Sequence, residues 1–214
     1  MNIETEHSKE KLLADIEKLI AYGREEPTFE FLKLFCKTFR INYNWINEDK
    51  GYPFDIKYDY ESPIDYLKDI KKLNPEKIYF IQNKSKTAET FIMLKFSDWY
   101  YMVGTKSWHM SNNVGATGKR EIYDFYQLIK KLKDSKFSLK CQGIKLENRE
   151  FYNILMGKSF PASCLTIENN NWWNDFTDIT HYYPISDKYQ EMYGKSFIEA
   201  QNIVKSEIKK LIYV

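Results

Sequence analysis

The hydrophobic period changes twice along this chain, and those changes limit the architectures open to it. Near 8–22, Leu12, Leu13, Ile16, Leu19 and Ile20 recur at helical spacing, one apolar face of a helix that ends at Gly23. Pro27 opens a second helix with Phe29, Leu32, Phe35, Cys36 and Phe39 on one side, so the pair reads as a helical hairpin. Ser62-Pro63 supplies a cap and a first-turn proline. The helix that follows carries Asp65 early, holds Ile64, Leu67 and Ile70, and stops before Pro75. From residue 77 the pattern shifts to runs rich in Ile, Phe, Tyr and Val at 77–82, 89–96 and 99–105. Polar turns at 83–87 and 97–98 separate them, which predicts a three-stranded antiparallel meander.

After a polar, glycine-bearing loop over 107–118, helical spacing returns. Ile122, Phe125, Ile129 and Leu132 predict a helix over 120–133, and a short helix follows at 147–156. A short strand is expected at 163–167. The C-terminal helix, 195–212, is expected to bury Phe197, Val204, Ile208 and Leu211 and to dock its apolar end. Strands clustered between helices give an α+β class: an N-terminal helical hairpin and C-terminal helices packed on a central antiparallel sheet. Without a linker, repeat or low-complexity tract, the 214 residues are expected to form a single domain over 1–214.

Composition removes several function classes. Hydrophobic residues at 43% and charged residues at 29% exclude a largely disordered chain. No apolar run reaches the ~18 residues of a membrane span, and the polar N-terminus is unlike a signal peptide, so a cytoplasmic protein without membrane partners is expected. Cys36, Cys141 and Cys164 are widely spaced and unpaired in pattern, so buried reduced thiols are expected rather than disulfides or a zinc site. Only Arg24, Arg40, Arg120 and Arg149 accompany 28 Lys, which leaves few tools for bidentate base recognition. Aromatics at 17% exceed what a core of this size needs, which points towards interfaces or stacking surfaces. Charge is segregated as well: 71–145 carries a local +9, while 42–70 and 168–199 each carry −4.

Five motifs offer chemistry. In Gly115-Ala116-Thr117-Gly118-Lys119-Arg120, glycine amides, a helix start and two cations make an anion contact. The match to a phosphate-binding P-loop fails at Asn113 and Arg120, where a glycine and a Ser or Thr belong. Lys77-Ile78-Tyr79 and Tyr100-Tyr101-Met102-Val103-Gly104 resemble the tyrosine-bearing strands of the GIY-YIG nucleases. That resemblance, over 77–150, implies an essential arginine matched by Arg120 and a metal-binding glutamate matched by Glu147 or Glu150. It departs from the family in the longer Tyr79-to-Tyr101 spacing and in lacking a glycine before Ile78.

His109-Met110-Ser111 has the form of one half of a two-histidine phosphoesterase site, but His181 is followed by Tyr182-Tyr183 and supplies no second half. Trp172-Trp173 sits in an Asn/Asp-rich stretch. If that stretch is extended, one ring buries and the other, Trp172, is exposed as a hot spot or stacking platform. Paired carboxylates at Asp55 and Asp59 and at Asp175 and Asp178, with Asp55-Ile56-Lys57, have only a loose nuclease-like form.

No motif is complete, so no catalytic residue, metal site or cofactor is assigned. The expectation is a non-enzymatic cytoplasmic binding protein of inhibitor or immunity type, such as a mobile-element inhibitor of a host defence complex. Its partner is expected to be a protein or ribonucleoprotein, met through Gly115, Thr117, Gly118, Lys119, Arg120, Trp172 and Trp173. The alternatives are a nuclease or phosphodiesterase, or a nucleic-acid-binding module making phosphate contacts through 71–145.

Overall fold

A computed structural model of the chain describes residues 28–58, 63–165, 171–180 and 185–212, together with Ala14. The first helix of the expected N-terminal hairpin therefore lies, apart from Ala14, outside the described residues. Its second member is α1 (Phe29–Phe39), which the Thr28 hydroxyl caps by accepting the Phe31 N–H at 3.2 Å. A short α2 (Tyr43–Glu48) and a two-residue β1 (Lys57–Tyr58) follow. Then α3 (Pro63–Leu73) carries Asp65 in its first turn and stops at Asn74, which adopts left-handed backbone ahead of Pro75.

The meander is present as β2 (Lys77–Asn83), β3 (Glu89–Lys95) and β4 (Tyr101–Gly104), paired antiparallel in that order. The expected loop after it holds one more strand, β5 (Trp108–His109), which sets Trp108 against Thr90 and His109 against Glu89. Strands β4 and β5 thus take successive stretches of one β3 edge. Next come α4 (Ala116–Lys133), β6 (Cys141–Leu146) and α5 (Asn148–Leu155). Residues Pro161–Cys164 form a single 3-10 turn, so the strand expected at 163–167 is absent from its described part. The amides there go to local bonds instead of a ladder, Ser163 N–H donating to the Phe160 carbonyl and Leu165 N–H to the Ala162 carbonyl, both at 3.0 Å. Short α6 (Trp172–Phe176), α7 (Ile185–Tyr193) and α8 (Lys195–Ile212) complete the described chain.

Six strands among the described residues form one sheet, ordered β1-β4-β3-β2-β6 with β5 also on β3. The fold is α+β, with helices, including the C-terminal ones, packed on that sheet. The expectation of an antiparallel sheet is corrected, because β2 pairs β6 in parallel from Ile78↔Cys141 to Asn83↔Leu146, and β1 pairs β4 in parallel. Parallel neighbours need a long crossover, and here α4 carries the chain back across the sheet before β6.

Alternation along the strands sorts side chains to two faces. Ile78, Phe80, Ile92 and Leu94 meet α3, α4, α6 and α8 on one face. Tyr79, Ile81, Phe91, Met93 and Ile144 meet α5, Ile56 and Cys164 on the other. Gly157 closes the second layer. Its φ of +74° and its contact with the Phe54 carbonyl leave no room for a Cβ, and its own carbonyl accepts the Phe54 N–H at 3.0 Å.

Helix α8 has the bounds expected of it, but its end does not dock. Phe197 and Val204 are buried and Ile208 is partly so, whereas Leu211 and Ile212 are 63% and 71% exposed. Tyr213 and Val214, the rest of the apolar end expected to dock, lie outside the described residues.

Candidate functional site

The residues expected to form a site do not converge as the sequence suggested. Helix α4 begins at Ala116, four residues earlier than expected, so Gly115 is its N-cap and Thr117 to Arg120 belong to its first turns. Gly118 is there for packing: a Cβ would lie 2.6 Å from the Val114 Cβ. Thr117 and Arg120 are exposed and Lys119 is half-buried. The Arg120 charge counteracts part of the effect of burial, which raises the Asp124 carboxyl.

Trp172 and Trp173 are both buried, at 0% and 6% exposure, so the expected division into one buried and one exposed ring does not hold. The reason is local geometry. The stretch is helical, and neighbouring residues diverge by about 100° rather than 180°. Both rings therefore reach Phe80, with centroids 6.3 and 5.5 Å away.

The nuclease-like constellation is divided by the sheet. Tyr79 and Tyr101 are buried in the layer under α5, whereas Arg120 lies in the early turns of α4, the helix on the opposite face. Burial raises both tyrosine hydroxyls above their ordinary range. Asp175 and Asp178 are occupied by phenols: Tyr193 donates to Asp175 at 2.6 Å and Tyr189 to Asp178 at 3.4 Å, tying α7 to α6. Asp55 is exposed beside buried Ile56, and Asp59 lies outside the described residues, as does His181. Among the described residues no cluster of three or more His, Cys, Asp or Glu side chains is placed to hold a metal ion. Nor is any described helix long and apolar enough to cross a membrane.

Two other places gather polar groups. The first surrounds Glu89, a largely buried carboxylate at the start of β3. It accepts the Ser107 hydroxyl at 2.5 Å and the Tyr152 hydroxyl from α5, and His109 Nε2 lies 3.8 Å away. The hydrogen bond to Glu89 pushes the Tyr152 phenol up to about 12, with burial adding to it. Tyr152 is therefore a fixed donor near neutral pH. The cluster binds α5 to the β3–β5 edge and leaves His109 half-exposed beside a carboxylate.

The second place is a cleft of about 960 Å³ at the carboxyl ends of the parallel strands β2 and β6. Its floor holds Gln82 and Asn83, and its rim is built by the β2–β3 turn, the α7–α8 junction and Asn113. The Asn83 side chain organises the turn by accepting the Glu89 N–H at 2.8 Å and the Ser85 hydroxyl at 2.6 Å. Four lysines line this cleft, Lys84 and Lys86 from the turn, Lys145 from β6 and Lys195 from the start of α8.

Lys84 pairs with Glu147 at 2.7 Å, and Lys195 stands 3.7 Å from Glu199. Lys145 is different. Its ammonium donates to the Tyr193 carbonyl at 3.1 Å and lies 5.1 Å from the centre of that tyrosine ring. Burial, reinforced by the Lys84 charge, lowers Lys145 to about 8. Among the described residues no carboxylate pairs with it.

The basic excess over 71–145 contains Lys84, Lys86 and Lys145 and was the one sequence signal for this cleft. Lys195 lies in an acidic segment and gave none. The open end of parallel strands is where ligands commonly bind in sheets flanked by helices. The chain matches no protein-family model, no curated protein and no solved structure.

Proposed function

We propose that the protein acts by binding, without performing a reaction itself, and that it meets an anionic macromolecular partner at the lysine cleft in the manner of an inhibitor or immunity protein. The observation that supports this reading is the convergence of Lys84, Lys86, Lys145 and Lys195 on one cleft from segments far apart in sequence. Lys84 and Lys195 stand beside glutamates, and the positive charge left over in the cleft is a repulsion that an anionic partner offsets. The segment leading into α4 supplies Asn113 to the rim.

The test is affinity capture from the native host with wild type and with the Lys84→Glu/Lys195→Glu double variant. Lys84 and Lys195 are exposed, and their surface ion pairs are worth about 1 kcal/mol or less each, so the variant should fold. A partner retained by wild type, lost from the variant and released by raised salt supports the proposal. A partner held equally by both proteins at high salt would remove the cleft from the interface.

A second reading, a phosphate-directed enzyme, draws on the Glu89–His109 pairing, since a half-exposed imidazole beside a carboxylate is a common acid–base arrangement. Turnover of RNA, DNA or a cyclic nucleotide with Mg²⁺ or Mn²⁺, abolished by His109→Ala, would favour it over the binding reading.

A further inference from the structure

The four lysines differ in depth. Lys145 projects from the sheet at the inner end of the cleft, half-buried between Tyr193 and the strand floor. Lys84 and Lys195 stand nearer solvent, each beside a glutamate, and Lys86 is exposed at the rim. The first turn of α8 also faces the cleft through Lys195 and Ser196, which adds a hydroxyl and the positive end of an 18-residue helix. We propose that the cleft is a phosphate-binding site with Lys145 as its inner cation, and that it takes the phosphate of a nucleotide, either free or at the end of a nucleic-acid strand. This rests on the reading that the cleft is where the protein binds.

Phosphate is favoured over a carboxylate on three grounds. A lysine ammonium serves phosphate as a compact point charge, and here the lysines are joined by the Ser196 hydroxyl and the amino end of α8, the same partners that hold phosphates at helix starts. A half-buried ammonium beside another lysine favours a multiply charged anion, which offsets both charges at once. Finally, the cleft volume lies at the upper end of small-molecule sites, larger than a lone phosphate requires. The half-exposed Met192 on its wall gives a base an apolar surface.

The experiment is an NMR titration of the full-length labelled protein with five probes. These are orthophosphate, AMP, adenosine, a 5′-phosphorylated tetranucleotide and a poly-glutamate peptide. AMP or the phosphorylated tetranucleotide is expected to shift the amides of Asn83, Lys145, Gly194 and Ser196, while adenosine leaves them unmoved. Lys145→Met is expected to weaken that binding about ten- to a hundredfold, the range for losing a charge-assisted contact. Lys145→Gln, which keeps a polar end, is the control should the methionine variant fail to fold. Tighter binding of AMP than of the tetranucleotide assigns the site to free nucleotides, and the reverse order assigns it to strand ends. Phosphate probes that leave these amides unmoved, or that bind both variants as tightly as wild type, overturn the proposal. If poly-glutamate then binds in their place, the phosphate assignment falls and the binding role of the cleft stands. If no probe binds, the phosphate assignment also falls, and the capture experiment alone decides the binding role.

Discussion

Lys145 shows how a single residue can oppose the fold that holds it. Its ammonium is held partly out of water with a carbonyl and an aromatic ring as neighbours, and burial lowers it to about 8 from the ordinary lysine range near 10.5. Below about pH 8 the folded protein carries this charge at a cost that the unfolded chain does not bear. Between about 8 and 10.5 the unfolded chain binds more protons, so wild-type stability rises with pH through that window. Lys145→Met is therefore expected to raise Tm by a few degrees at pH 7, and the gain should disappear above about pH 10.5. Thermal melts of the two proteins across that range check it. A Tm that falls at neutral pH would mean that the carbonyl and ring contacts outweigh the desolvation. A residue that costs stability where it sits is also one to examine for a binding role.

At the scale of elements, α6 is five residues long and would not persist as an isolated helix, yet it anchors one face of the sheet. Trp172, Trp173 and Phe176 all enter the core, the two indoles against the same Phe80 ring. Trp172→Ala and Trp173→Ala are each expected to cost about 3–5 kcal/mol in denaturant unfolding. Because the rings share a neighbour, the double variant should depart from the sum of the singles. One variant within experimental error of wild type would return that ring to the surface. Sequence alone did not identify this stretch as helical, because a run of asparagines carries no helical period. Only the turn geometry distinguishes two buried rings from one.

Across the whole molecule, β2 is the strand on which everything else is arranged. It is buried on both faces, with β3 along one edge and β6 along the other, and Phe80 and Ile81 point into opposite layers. Exchange from such a strand requires both layers to open together. In native-state hydrogen exchange the amides of β2 and its β3 partners are expected to be the last to exchange, while those of α2, with no buried residue, exchange early. Comparable protection in α2 and β2 would show that the layers do not open as one unit. The cleft stands at the end of this same strand, so Lys145, on the neighbouring β6, is mounted beside the part of the molecule expected to move least.

Local order was written in the sequence. The meander, α3, α5 and α8 appear close to where hydrophobic period, caps and breakers put them, because those signals act over a few residues. The three thiols are buried and free, as their spacing suggested. Tertiary structure decided the rest. The pairing of β2 with β6 joins residues about 60 positions apart, and a strand's pattern states which face is buried but not which neighbour it takes. Helix α4 starts at Ala116, and Gly118 near its start leaves room for the Val114 side chain, a contact that no propensity scale contains. The cleft was the least legible feature. Lys84, Lys145 and Lys195 share no local motif, and they become one site only because parallel pairing and the turn into α8 bring their segments to the same end of the sheet. Short-range physics fixes the elements, and long-range burial fixes which of their charged ends meet.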